Sequence, residues 1–191
     1  MKFFKAESVA VIGASATPSK IGHEVLRSLS QYEYPGRVNP VNPTAETILG
    51  MKTYASVLEV PCTVDLAVLT IPAKAALSII EECGRKGVRT VVIVSGGFKE
   101  AGMEEFESQS VDTARKYGIR IIGPNCISVL DGHSRLDTFF QSHERMLRPR
   151  PGSVASVHAC YETQDAYRFF CLDVGHRDDP RQRQQVQCKA S

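Results

Sequence analysis

The sequence predicts an α/β protein built on a doubly wound parallel sheet of about five strands. Three observations carry this expectation. Short runs rich in Val, Ile and Leu alternate with stretches of helical period over the first ~150 residues. Each strand-plus-helix unit takes roughly 25–30 residues, the length of a right-handed parallel crossover. Nearly every apolar run ends in glycine, proline or asparagine, the residues that end strands in turns.

The elements follow in order. "SVAVIG" (8–13) is a β-rich run ending in Gly13. "IGHEVLRSLSQY" follows, with Ile21, Val25, Leu26 and Leu29 on one helical face. "GRVNPVNP" is a short strand closed by prolines, and "YASVLEV" a weak helix. "VDLAVLTIP" (64–72) is a nearly continuous apolar run, as in a strand covered on both faces. "AKAALSIIEECGRKG" is an amphipathic helix stopped by Gly87. "RTVVIVSGGF" is a fourth strand. The next helix ends at Gly118, with Met103, Phe106, Val111 and Ala114 as core candidates. "IRIIGPNC" is the fifth strand. The expected Rossmann-like order is 3-2-1-4-5.

After Cys126 the pattern loosens into an extended excursion that leads to "GSVASV" (152–157). From His158 the character changes again. The last 34 residues hold five Gln and three of the six Cys and show no apolar period, which predicts an irregular, poorly ordered tail.

Composition excludes several classes. Apolar residues make up 42% and charged residues 23% of the 191, and the net charge is +2. That balance gives no strong field toward nucleic acid or an anionic membrane. No run approaches the roughly 18 apolar residues of a membrane span. "MKFFKAES" has no signal-peptide h-region, so a cytoplasmic location is expected. Cys62, Cys83 and Cys126 lie scattered in apolar surroundings without a C-x-x-C pair, as reduced buried thiols do.

In an open parallel sheet, ligands bind beyond the carboxyl ends of the strands. There the sequence places Gly13-Ala14-Ser15, Val41-Asn42-Pro43, Thr70-Ile71-Pro72, Ser95-Gly96-Gly97 and Gly123-Pro124-Asn125. These turns offer amides, hydroxyls and carboxamides, with no His–carboxylate pair, metal cluster or nucleophile elbow. No catalytic or metal residue is assigned. The first turn suits phosphate: Gly13 allows a sharp bend, Ser15, Thr17 and Ser19 carry hydroxyls, Lys20 adds a charge, and a helix N-terminus follows. The competing reading is that Ser19 only caps that helix. An NAD site would put an acidic residue at the end of strand two, and none occurs there before Glu46.

"IGASATPSKIGH", "VNPVNP", "LTIPAK", "VSGGFKEAG" and "IIGPNCISVLD" together resemble the amino-terminal CoA-binding domain of the ADP-forming acyl-CoA (acetate–CoA) ligases. The α subunit of succinyl-CoA synthetase is a more distant relative. The resemblance spans about residues 5–157. It implies that coenzyme A or acyl-CoA is the ligand, with other ligase domains or subunits as partners and neither nucleic acid nor membrane. Carried over residue by residue, it implies a phosphate turn of Gly13, Ser15, Ser19 and Lys20 and a second loop of Asn42 and Pro43. Thr44 stands where that loop often has Lys. Ile71 and Pro72 would form an apolar ledge, Ser95 and Gly96 the fourth loop, and Pro124 and Asn125 the fifth.

The resemblance stops at His158, before the family's "SQSG" turn. The expected organisation is a CoA-binding domain at 1–130, a linker and first strand of a missing second ligase domain at 131–157, and an aberrant tail at 158–191. The chain would be truncated, lacking the phospho-histidine and ATP-grasp parts, and inactive alone. His23, His133, His143, His158 and His176 match nothing catalytic. The alternatives are a self-sufficient CoA- or nucleotide-binding module and an NAD(P)-binding Rossmann protein.

Overall fold

The computed structural model describes residues 3–146 and Arg148, with the backbone alone for Glu100 and for three strands within 154–187. In chain order the elements are β1 (Ser8–Ile12), α1 (Ile21–Gln31), β2 (Arg37–Val41), β3 (Thr47–Ile48), β4 (Met51–Lys52), β5 (Leu66–Leu69), α2 (Ala73–Lys86) and β6 (Thr90–Ile93). There follow α3 (Glu104–Tyr117), β7 (Arg120–Ile122), β8 (Cys126–Asp131), β9 (Leu136–Asp137), β10 (Val154–Cys160), β11 (Tyr167–Asp173) and β12 (Val186–Gln187).

The parallel sheet has five strands in the order β2-β1-β5-β6-β7. By order of appearance along the chain this is 2-1-3-4-5, which corrects the expected 3-2-1-4-5. The reason is Pro40. Val41 of β2 bridges only to Tyr54 on its outer side. There the Pro40 carbonyl accepts the Tyr54 N–H at 3.0 Å, so the missing proline N–H also faces outward. A proline in this strand is tolerated because the strand is an edge.

The buried strands place alternate residues on opposite faces. Val9, Val11, Leu66, Val68 and Val92 face α1 and the β8–β9 hairpin. Ala10, Ile12, Ala67, Leu69, Val91 and Ile93 face α2, α3 and the loop around Val57 and Val60. Helices α2 and α3 stop where the sequence places glycines: Gly87 and Gly118 take left-handed conformations, with φ of 85° and 64°. "YASVLEV" is not a helix beyond one 3-10 turn, Val57–Glu59, whose Ser56 hydroxyl accepts the Leu58 N–H. On α3 the inward residues are Ser110 and Ala114, with Phe106 half-buried. Val111 is exposed rather than in the core, because Ser110, one position before it, takes the inward place between Phe106 and Ala114.

The stretch after Cys126, expected as loosened chain, instead carries β8 and β9; Leu136 is buried against the α1 face and Phe139 against Ile127 and Leu130. Asp137, wholly buried, accepts from Arg148 Nε at 2.6 Å, and His143 Nε2 lies 3.1 Å from the same oxygen. A second, antiparallel sheet runs β12-β11-β10-β8-β9. The stretch from His158 thus carries the strand backbone of the end of β10, of β11 and of β12. The rest of that stretch lies outside the described residues.

Candidate functional site

The five sequence-predicted turns stand at the carboxyl ends of β1, β2, β5, β6 and β7, on one edge of the parallel sheet. The strand order reverses between β1 and β5, the position at which ligands of such sheets bind.

The first turn is built by close approach. Gly13 has φ of 90°, and a Cβ on it would meet Ile71 Cγ2 at 2.8 Å and Thr70 Oγ1 at 2.9 Å. Ile71 is half-buried and fills this space, so its place is partly structural. Ser15 is half-buried, and its hydroxyl oxygen accepts the Thr17 N–H at 3.1 Å, leaving the hydroxyl proton to be donated elsewhere. Ser19 is exposed with φ of 69° and donates its N–H to Glu24 Oε1 at 3.1 Å. It does not cap α1. Lys20 is the N-cap residue, its side chain makes no capping bond, and it is exposed. The first amides of a helix have no intrahelical acceptor. Among the described residues, nothing accepts from the amides of Ser15, Ala16, Ile21 or Gly22.

The second turn is tied to the first. The Val41 carbonyl accepts the Gly13 and Ala14 N–H groups at 3.1 and 3.2 Å. Asn42 Nδ2 donates to the Ala14 carbonyl at 2.7 Å, while Asn42 Oδ1 accepts from the Thr44 N–H, the Thr44 hydroxyl and the Ala45 N–H. Its carboxamide is engaged within the two turns. Pro43 is exposed beside it. The third turn joins through Thr70, whose hydroxyl lies 3.1 Å from both the Ile12 and Gly13 carbonyls. Pro72 is exposed and precedes α2 as its N-cap.

Ser95 and Asn125 form a second group, in which the Ser95 carbonyl accepts the Asn125 N–H at 3.1 Å. Gly96 is exposed, the Gly123–Pro124 peptide is cis, and Asn125 has φ of 52°. Cys126 is 2% exposed and donates its thiol to the Ile93 carbonyl, the behaviour of a small packed residue. The first three turns are thus hydrogen-bonded into one unit and the last two into another.

Sequence reasoning missed the part played by Thr70, Gly22 and His23. His23 is 8% exposed, and its Nδ1 lies 3.1 Å from the Ser15 carbonyl. Its helical position beside the turn was the available signal. Among the described residues no group of His, Cys, Asp and Glu could hold a metal ion, and no helix is long and apolar enough to cross a membrane.

Residues 7–131 match the CoA binding domain family. The chain is 48% identical over 143 residues to the ADP-forming acetate–CoA ligase I subunit alpha of Pyrococcus furiosus, covering 72% of this chain and 31% of that protein. It is similar in structure to the dinucleotide forming acetyl-coenzyme A synthetase 1 of Ca. Korarchaeum cryptofilum, solved with phosphate and ADP. That likeness has a TM-score of 0.70 and 43% identity over 71% of this chain and 29% of the other. A Thermus thermophilus protein, cell-free ID.343, is similar at a TM-score of 0.54 and 28% identity, over 66% of this chain and 88% of its own. The chain therefore spans about three tenths of the length of these curated relatives.

Proposed function

Since the chain belongs to the CoA binding domain family, we propose that it binds coenzyme A or an acyl-CoA at the carboxyl ends of the parallel strands. The observation that carries this reading is the set of unpartnered amides at Ser15, Ala16, Ile21 and Gly22, beside the Ser15 hydroxyl and the Lys20 ammonium. Amides at a helix start, backed by the helix dipole, suit a phosphoryl group. Gly13, Ser15, Ser19 and Lys20 then form the phosphate side. Pro43, Ile71, Pro72, Gly96 and Pro124 supply apolar or open surface for the adenine and the pantetheine arm. Asn42, Ser95 and Asn125 hold the turns in register.

An NAD reading needs a carboxylate at the end of β2 for the ribose. Asn42 stands there, with its carboxamide already bonded to Ala14, Thr44 and Ala45. Calorimetry of the full chain at moderate salt should show binding of CoA and none of NAD. Binding of NAD without a response to CoA overturns the reading.

The relatives named as acetate–CoA ligases are about three times longer than the matched segment. The chain's share in such chemistry is to hold CoA for other ligase domains or subunits. Residues 1–130 hold the ligand, while 131–157 back that domain through β9 and β10 and, like 158–191, supply no turn of the site. Purified alone, the chain should form no acyl-CoA from acid, CoA and ATP. A second reading, a self-sufficient CoA- or nucleotide-binding module, is favoured by the Thermus thermophilus likeness, which covers 88% of that short protein. Thiols set in apolar surroundings, at Cys62 and the buried Cys83, support a reducing, cytoplasmic setting.

A further inference from the structure

Three successive carbonyl oxygens of the first turn are each held by a side chain from a different part of the fold. The Thr70 hydroxyl, its one proton shared with Ile12 O, lies 3.1 Å from Gly13 O, Asn42 Nδ2 serves Ala14 O at 2.7 Å, and His23 Nδ1 serves Ser15 O at 3.1 Å. Among the described residues no backbone amide reaches any of the three. A carbonyl oxygen only accepts, so His23 Nδ1 carries the proton.

A trans peptide is planar, and its C=O and N–H point in opposite directions. Fixing one carbonyl therefore aims the next residue's amide. With Gly13 O held by Thr70, the Ala14 N–H points back to Val41 O, where it bonds at 3.2 Å. With Ala14 O held by Asn42 and Ser15 O by His23, the Ser15 and Ala16 amides are aimed the other way. Those two amides are among the ones that lack a protein acceptor. Unheld, the same peptides could flip and present carbonyl oxygens to an anion, which repels it.

We propose that Asn42 and His23, backed by Thr70, are positioning residues that fix the peptide planes of the first turn and aim the Ser15 and Ala16 amides at a phosphoryl group. The inference rests on the CoA reading for the identity of the anion, and on geometry alone for the aiming of the amides. His23 is the sharper probe, because Asn42 also organises its own turn. His23→Leu keeps apolar bulk and removes the donor. His23→Asn keeps an N–H donor at the equivalent atom.

The test compares the full chain with both variants in two measurements. Nitrogen-15 relaxation on the ligand-free chains should show Ser15 and Ala16 order parameters falling from about 0.85 to below about 0.6 in His23→Leu and returning in His23→Asn. Calorimetry should show CoA affinity falling roughly 3- to 10-fold in His23→Leu, the scale of one hydrogen bond, and returning to within about twofold in His23→Asn. Unaltered order parameters in His23→Leu, or failure of His23→Asn to restore them, overturns the inference whether or not CoA binds. Normal CoA binding by His23→Leu overturns it while the CoA reading stands. If the unsubstituted chain takes no CoA, the reading of the ligand falls and the order parameters still decide the positioning role.

Discussion

Gly22 lies so close to Gly13 that a Cβ on Gly22 would stand 2.1 Å from the Gly13 carbonyl oxygen. The first turn of α1 is thereby pressed against the end of β1, which brings the helix amides to the turn. Gly22→Ala must push helix and strand apart. It should destabilise the chain by about 2–3 kcal/mol, the upper range for overpacking, and weaken CoA binding. Urea unfolding checks the first effect and calorimetry the second. Gly50→Ala serves as the control: nothing lies within 4 Å of a Cβ there, so only the cost of its positive φ, about 1–2 kcal/mol, should appear, with CoA binding unaltered.

Lys20 is exposed at the N-cap of α1, where its ammonium is free to reach an anion held by the helix amides. Lys20→Ala should weaken CoA by about 1–2 kcal/mol, the usual scale of a charge-assisted contact. The loss should shrink as salt rises. An unchanged affinity at low salt would show that the side chain points away from the ligand.

Cys83 is fully buried in α2, and burial, with a smaller push from the Glu82 charge, raises its thiol from 9.0 to about 12. The unfolded chain releases this proton first, so it binds fewer protons than the native chain above pH 9.0. The contribution is complete below that pH and is lost as pH rises toward 12. Unfolding free energies should therefore fall with pH above 9.0, and Cys83→Ala should flatten the slope. Tyr34, also raised by burial, adds to the fall at higher pH. An identical slope in the variant would refute the assignment.

Arg148 is 4% exposed at its side chain and bonds the wholly buried Asp137, while its guanidinium lies 5.0 Å from the Phe139 ring centre. Arg148→Ala leaves a buried carboxylate with His143 as its remaining ionisable partner. Removing one member of a buried pair typically costs about 3–5 kcal/mol. Urea unfolding should show a loss of that size. A loss under about 1 kcal/mol would mean that water reaches Asp137 in the variant.

A chain ending at Val157 should bind CoA within about twofold of the full chain, because every turn of the site precedes residue 131. Its melting temperature reports separately on the β10–β11 pairing, such as Val157 with Phe170, that it removes. A fall in affinity beyond tenfold would show that this pairing supports the site.

The local periods of the sequence were enough to determine the three helices, the five parallel strands and the place of the five turns at their ends. A helix face, a two-residue alternation and a left-handed glycine such as Gly87 or Gly118 depend on neighbours within a few residues, so they are written locally. Pro40 even marked β2 as an edge, although the expected order left that strand inside. The β8 strand escaped because its six buried residues include polar Ser128 and Asp131, which break the apolar run and find partners only in the fold, at Thr138 and Ser134. The tertiary structure alone decided which strand lies beside β1, that Ser110 rather than Val111 turns inward on α3, and that Asn42 is bonded within the turns. Asn42 meets Ala14 across 28 residues of sequence and Thr70 meets Gly13 across 57. Such partners are chosen by the packing of whole layers, and no local pattern of residue types specifies them.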